Sequence, residues 1–156
     1  MADGGQRDAA VRAYVKLNRA TRAVLAAVEP RVAAAGLTLT QLGVLEAVLH
    51  KGPMTQRELG RKVLTSAGNM TDVIDKLARR GLIRRAPRDG RSIQVELTAE
   101  GRRLIESLFP SHAQDIAATF ATLTPQELAE LDRLLRKLGL CAAALDLGAQ
   151  APQIAP

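Results

Sequence analysis

Aromatic side chains are nearly missing from this chain: two Phe, one Tyr and no Trp in 156 residues. A core made from it must be aliphatic, built from Leu, Val, Ile and Ala, which points to a mainly helical fold. Cysteine is scarce too. A lone Cys141 excludes an intramolecular disulfide framework and suits a reducing compartment. No apolar run approaches the roughly 20 residues that span a bilayer, and Met1–Arg12 has no apolar signal-peptide core. A single cytoplasmic domain, residues 1–156, without membrane contact is therefore expected. The constellations of an enzyme are missing as well: no nucleophile–base set, no phosphate loop and no metal-ligand spacing. His50 and His112 stand far apart with no cysteine cluster. No catalytic residue, metal or cofactor is expected.

What the chain has is positive charge in one place. Between Lys51 and Arg91 stand eleven basic residues and four acids, Glu58, Asp72, Asp75 and Asp89, a net +7. The remainder, with 11 basic and 12 acidic residues, is −1, so the whole excess of +6 comes from that segment. A polyanionic partner is the natural inference.

Apolar spacing divides the chain into helices with one hairpin. Asp8 to about Ala35 reads as a long helix with Val11, Tyr14, Val15, Leu25 and Val28 on its apolar side, ended or kinked at Pro30. A second helix starts at Thr38, where Thr38 and Gln41 have capping-box spacing, and stops at Lys51-Gly52-Pro53. Thr55–Leu64 is a short third helix with its own capping box, Thr55 and Glu58. After a tight turn at Leu64-Thr65 comes the stretch Thr65–Gly81, whose Ala67, Met70, Val73, Ile74 and Leu77 fall in one arc. Its opposite arc carries Gly68, Asn69, Thr71, Asp72, Asp75, Lys76 and Arg79. Two short helices joined this way, the second with a polar face of short side chains, form a helix-turn-helix pattern.

A hairpin follows: Ile83–Ala86, a turn at Asp89-Gly90, then Ser92–Leu97 alternating with Ile93, Val95 and Leu97 on one face. Pro87 restricts the first strand to a sheet edge. Arg84, Arg85, Arg88 and Arg91 crowd this hairpin, an arrangement that repels itself unless anions lie nearby. Thr98 caps a helix to about Phe120, with Pro110 predicting a kink. Thr124-Pro125-Gln126-Glu127 starts a last helix with a leucine stripe, Leu128, Leu131, Leu134, Leu135 and Leu138, ended by Gly139. The remainder, 141–156, reads as a flexible tail. The fold class is mainly α with a small β-hairpin wing: a winged helix-turn-helix over 38–98, flanked by helices at 8–35 and 99–140 whose apolar stripes suit dimerisation.

These residues resemble a known family. Leu64–Thr71, Val73–Leu77, Arg80-Gly81-Leu82-Ile83, Asp89-Gly90-Arg91 and Val95–Gly101 closely resemble the MarR family of bacterial transcriptional regulators, as do Phe109–Ala113 and Leu123–Leu128. The resemblance runs from about residue 10 to residue 140. It implies a homodimeric winged helix-turn-helix repressor, less often an activator, on double-stranded DNA with a pseudo-palindromic operator. It also implies release by a small-molecule effector, often an anionic phenolic compound. By the same resemblance the Ser66–Arg80 helix enters the major groove, and Asp89 holds Arg91 toward the minor groove, where a narrow cleft concentrates negative potential. Gly90 stands where the commoner wing has an Arg.

The expected DNA-binding residues are Thr55, Gln56, Thr65, Ser66, Gly68, Asn69, Thr71, Lys76, Arg88, Asp89 and Arg91. Asn69 can pair bidentately with adenine, and Thr55 and Gln56 can serve a phosphate at a helix start. Asp72 and Asp75 are expected to pair with Lys76 and Arg79 at i,i+4. Effector-contacting residues are not identifiable. Cys141 is the single candidate for redox modulation, and the runner-up function is a winged module for protein contacts alone, against which the charge excess and the polar arc argue.

Overall fold

The computed structural model describes residues 4–63, 67–88 and 92–144. Among them are six helices and a three-stranded sheet: α1 (Gly4–Ala34), α2 (Leu39–Lys51), β1 (Met54–Thr55), α3 (Gln56–Lys62), α4 (Ala67–Arg79), β2 (Ile83–Pro87), β3 (Ile93–Leu97), α5 (Ala99–Thr119) and α6 (Pro125–Ala144). The fold is the expected one, mainly helical with a hairpin wing. The chain divides into two compact units, residues 1–117 and 118–156.

Helix starts lie where local chemistry puts them. Thr38 Oγ1 accepts from the Gln41 N–H at 3.2 Å and Gln41 Oε1 accepts from the Thr38 N–H at 3.0 Å, so both halves of the box are closed. Thr124 and Glu127 repeat the pattern at α6, which holds the Glu127 carboxyl below its ordinary range, chiefly through the Thr124 N–H. Each such cap removes orphan donors from a helix end, and losing its hydroxyl costs about 0.5–2 kcal/mol.

In the first unit the core is aliphatic. Val32, Leu42, Val44, Leu45, Leu59, Met70, Ile74, Leu77, Val95 and Ile105 are fully buried and belong to one cluster. Five helices, α1 to α5, and the middle of β3 therefore share a single apolar interior. The sheet order is β1-β3-β2, antiparallel throughout, with Ile83 opposite Leu97 and Pro87 opposite Ile93. β2 is an edge strand, as Pro87 required.

Four expectations change. α1 starts at Gly4, four residues before Asp8, while its end at Ala34 is close to the expected one, with Pro30 inside the helix; buried Val28 and Val32 bracket the proline, so packing holds the turn that Pro30 weakens. α6 runs through Gly139 to Ala144, because Leu140, Cys141 and three alanines are adequate helix formers and one glycine costs only about 1 kcal/mol. Residues 141–144, expected in the flexible tail, are therefore helical, and residues 145–156 lie outside the described ones. β1 was not anticipated. Finally, Ile93 is exposed while Val95 is buried, because only the inner part of the hairpin reaches the core.

Candidate nucleic-acid interface

α4 presents the two faces its spacing dictates. Met70, Val73, Ile74 and Leu77 are buried, whereas Gly68, Asn69, Thr71, Asp72, Lys76 and Arg79 are exposed. Asp72 pairs with Lys76 at 2.7 Å. The helix ends in a Schellman motif: Gly81, at φ +69°, donates to Ala78 O and Leu82 donates to Leu77 O. A Cβ at Gly68 would meet nothing within 4 Å, so intrachain packing does not require that glycine. Its place on the outer face leaves the backbone open to an approaching surface. Thr65 and Ser66 lie outside the described residues.

The start of α3 lies beside this face. Gln56 Nε2 donates to Thr71 Oγ1 at 2.5 Å, joining two of the expected DNA-binding side chains across the helix pair. Thr55 is at once the last residue of β1, opposite Gln94, and the N-cap of α3. Glu58 accepts from the Thr55 N–H at 2.7 Å and from its hydroxyl at 2.8 Å. Those two hydrogen bonds, helped by Arg88 and opposed by desolvation, hold the Glu58 carboxyl below its ordinary range. The cap therefore persists above the usual Glu titration, near pH 4.3, and is lost as pH falls through the lower folded value.

The wing arginines are not left to repel one another. Arg84 pairs with Glu96 at 2.8 Å, Arg85 with Asp75, and Arg88 with Glu58 at 3.2 Å. Asp75 was expected to pair with Arg79 along its own helix. Its partner is Arg85 on β2 instead, because α4 packs against that strand and the contact is shorter in space than in sequence. Asp89 and Arg91 lie outside the described residues; of those flanking them, the Arg88 N–H donates to Ser92 O at 2.8 Å.

Several contacts escaped the sequence reading because they join distant segments. Arg80 donates to Gly36 O, tying the end of α4 to the loop after α1. Thr98 donates from its hydroxyl to Gly81 O at 2.6 Å and from its N–H to Leu82 O at 3.1 Å, and accepts from the Gly101 N–H at 3.0 Å. The hairpin's base is thereby sealed to both neighbouring helices. His112 is buried in α5, and its Nδ1 has no hydrogen-bond partner among the described residues. One turn on, Arg31 forks onto Asp115, holding that carboxyl below its ordinary range.

Two hollows remain. One, of about 250 Å³ between α2 and α3, is lined by Glu46, His50, Lys51, Lys62, Ala47 and Val63, with the His50 ring edge-on to Phe109 at 5.1 Å. The second lies in the second unit, about 280 Å³, lined mostly by Phe120, Leu128, Leu131 and Leu135. Val11, Tyr14 and Leu25 of α1 and Leu134, Leu135 and Leu138 of α6 are exposed. Among the described residues no single helix is long and apolar enough to cross a membrane, and no cluster of three or more His, Cys, Asp or Glu residues suits a metal ion.

Known proteins share this arrangement. Residues 35–92 match the model of the MarR family. The HTH-type transcriptional regulator MhqR of Bacillus subtilis is 31% identical over 134 residues, covering 85% of this chain and 92% of that protein. YkoM, an HTH-type transcriptional regulator of the same organism, is 38% identical over 107 residues, 67% of this chain and 70% of its own length. Among solved structures, Bordetella bronchiseptica BpsR, whose DNA binding is regulated by 6-hydroxynicotinic acid, superimposes with a TM-score of 0.75 at 28% identity, covering 82% of this chain and 98% of that one.

Proposed function

The chain belongs to the MarR family of transcriptional regulators, and from that premise we propose that it is a repressor that binds a pseudo-palindromic operator as a homodimer and is released by a small anionic ring compound. The observation that carries the DNA-binding reading is the outer face of α4: a row of short polar residues, backed by a fully apolar inner face and bordered by the α3 start and the wing. A short-chained arc lets the helix backbone enter a major groove about 12 Å wide. Asn69 is the base-reading residue. Gly68 permits close approach, and Thr71 is oriented by Gln56. Thr55 and the α3 amides face a phosphate, with Lys76 supplying charge nearby. Thr65, Ser66, Asp89, Arg88 and Arg91 complete the proposed contact set, the last three at the wing.

Dimerisation is supported by the apolar faces of α1 and α6, which one chain leaves uncovered. The effector reading is supported by BpsR, and the hollow between α2 and α3 offers an acid two ammonium groups and an imidazole against the single carboxylate of Glu46. A cytoplasmic regulator with no catalytic activity is the reading consistent with its relatives. The test is titration of the full chain against duplex DNA across a salt series, followed by footprinting on its own upstream region. Affinity should fall steeply with salt, a footprint with two-fold symmetry should appear, and 6-hydroxynicotinate is the first probe for release. No duplex binding at low salt would end the proposal.

A further inference from the structure

One carboxylate has two duties at the edge of the proposed interface. Glu58 closes the α3 capping box through the Thr55 N–H and hydroxyl, and it also receives Arg88 Nη1 at 3.2 and 3.3 Å on its two oxygens. The first duty is local and serves the helix. The second is a contact across 30 positions, between the helix start and the wing. Both side chains of the bridge are 43% exposed, so the pair is worth little by itself and exchanges readily.

DNA sharpens the conflict between those duties. A phosphate approaching Arg88 at the wing also approaches the Glu58 carboxylate, which repels it. Arg88 cancels the repulsion as long as it stays on Glu58. A guanidinium so engaged does not give its fork to a phosphate, which is the stronger, bidentate partner. The other two bridged wing arginines face acids, Glu96 and Asp75, that have no capping duty.

We propose that Glu58 sets the affinity for DNA by competing with phosphate for the Arg88 guanidinium, acting as a positioning residue through Arg88. This rests on the reading that the α3 start and the wing face DNA. Glu58→Gln separates the two duties, because Gln serves the third helical position of a capping box as Glu does, while its neutral amide lacks the charge that repels phosphate and holds Arg88 more weakly than the carboxylate does.

The experiment is fluorescence anisotropy of the full chain on an operator duplex across a salt series, with thermal midpoints measured in parallel. E58Q should bind up to about fivefold tighter at the lowest salt, the range of an exposed ion pair, with an unchanged midpoint. Its salt slope should steepen by about 0.9, one further phosphate contact per chain. Adding Arg88→Gln to E58Q should return the slope to the wild-type value, and R88Q alone should weaken binding. E58Q that binds more weakly than wild type, or with the same slope, would overturn the proposal, as would R88Q with unaltered affinity. If wild type itself fails to bind duplex, the reading of the interface falls and this proposal with it. If wild type binds and E58Q does not differ, only the role of Glu58 falls.

Discussion

A methyl group has no room at position 101. A Cβ there would lie 1.9 Å from the Leu82 carbonyl oxygen and 2.8 Å from its carbon, both backbone atoms that cannot swing aside. Gly101→Ala should therefore push α5 off the hairpin base, lowering stability by about 1–3 kcal/mol; an unchanged urea midpoint would show that the junction is looser than drawn. Nothing near Gly101 in sequence announces this, since a glycine in a first helical turn looks merely unfavourable. The same holds for Arg80 on Gly36, Arg85 on Asp75 and Arg88 on Glu58. By contrast, the pairs Thr38–Gln41, Thr55–Glu58 and Thr124–Glu127 were legible, because both partners lie within three residues and helix geometry alone brings them together. The exposed arc of α4 was legible for a similar reason, as 100° per residue sorts its side chains without any knowledge of neighbours.

At the scale of elements, periodicity located every helix, and punctuation misplaced one of their ends. Gly139 read as a stop, yet α6 continues past it by five residues; Pro30 lies inside α1, which ends at Ala34, one residue from the expected bound. Propensity is a weak prior of at most a few kcal/mol, and packing or good flanking residues override it. β1 was illegible because two residues, Met54 and Thr55, carry no alternation; pairing with β3 makes the strand. The helices also carry the assembly prediction. Leu131 and Leu135 line a hollow in the second unit, and Leu134 and Leu138 are exposed beside them on α6. Light scattering should give about twice the 16.7 kDa of one chain, and Leu135→Asp, which places a charge among those leucines, should shift the population toward the single chain. A single-chain mass for the wild type at micromolar concentration would remove the two-fold operator from the proposed function.

For the molecule as a whole, the count of charges overstates what DNA can use. Among the described residues between Lys51 and Arg91, four basic side chains hold carboxylates: Lys76, Arg84, Arg85 and Arg88. While those bridges hold, the slope of log affinity against log salt should be no steeper than about −6 per chain, at about −0.9 for each phosphate neutralised; each bridge that DNA breaks, Lys76 and Arg88 of the proposed contact set among them, steepens it by about 0.9, and a slope near −10 per chain would mean that all four are broken. The start of α3 has a different kind of consequence. Thr55 belongs to the sheet and caps α3, Gln56 reaches α4 through Thr71, and Glu58 reaches the wing through Arg88. Three residues within four positions thus join α3 to the sheet, to α4 and to the wing. In engineering language this is a junction with separate terminals: each of the three residues joins α3 to a different neighbour, so a change at Thr55 is read by the sheet, one at Gln56 by α4 and one at Glu58 by the wing.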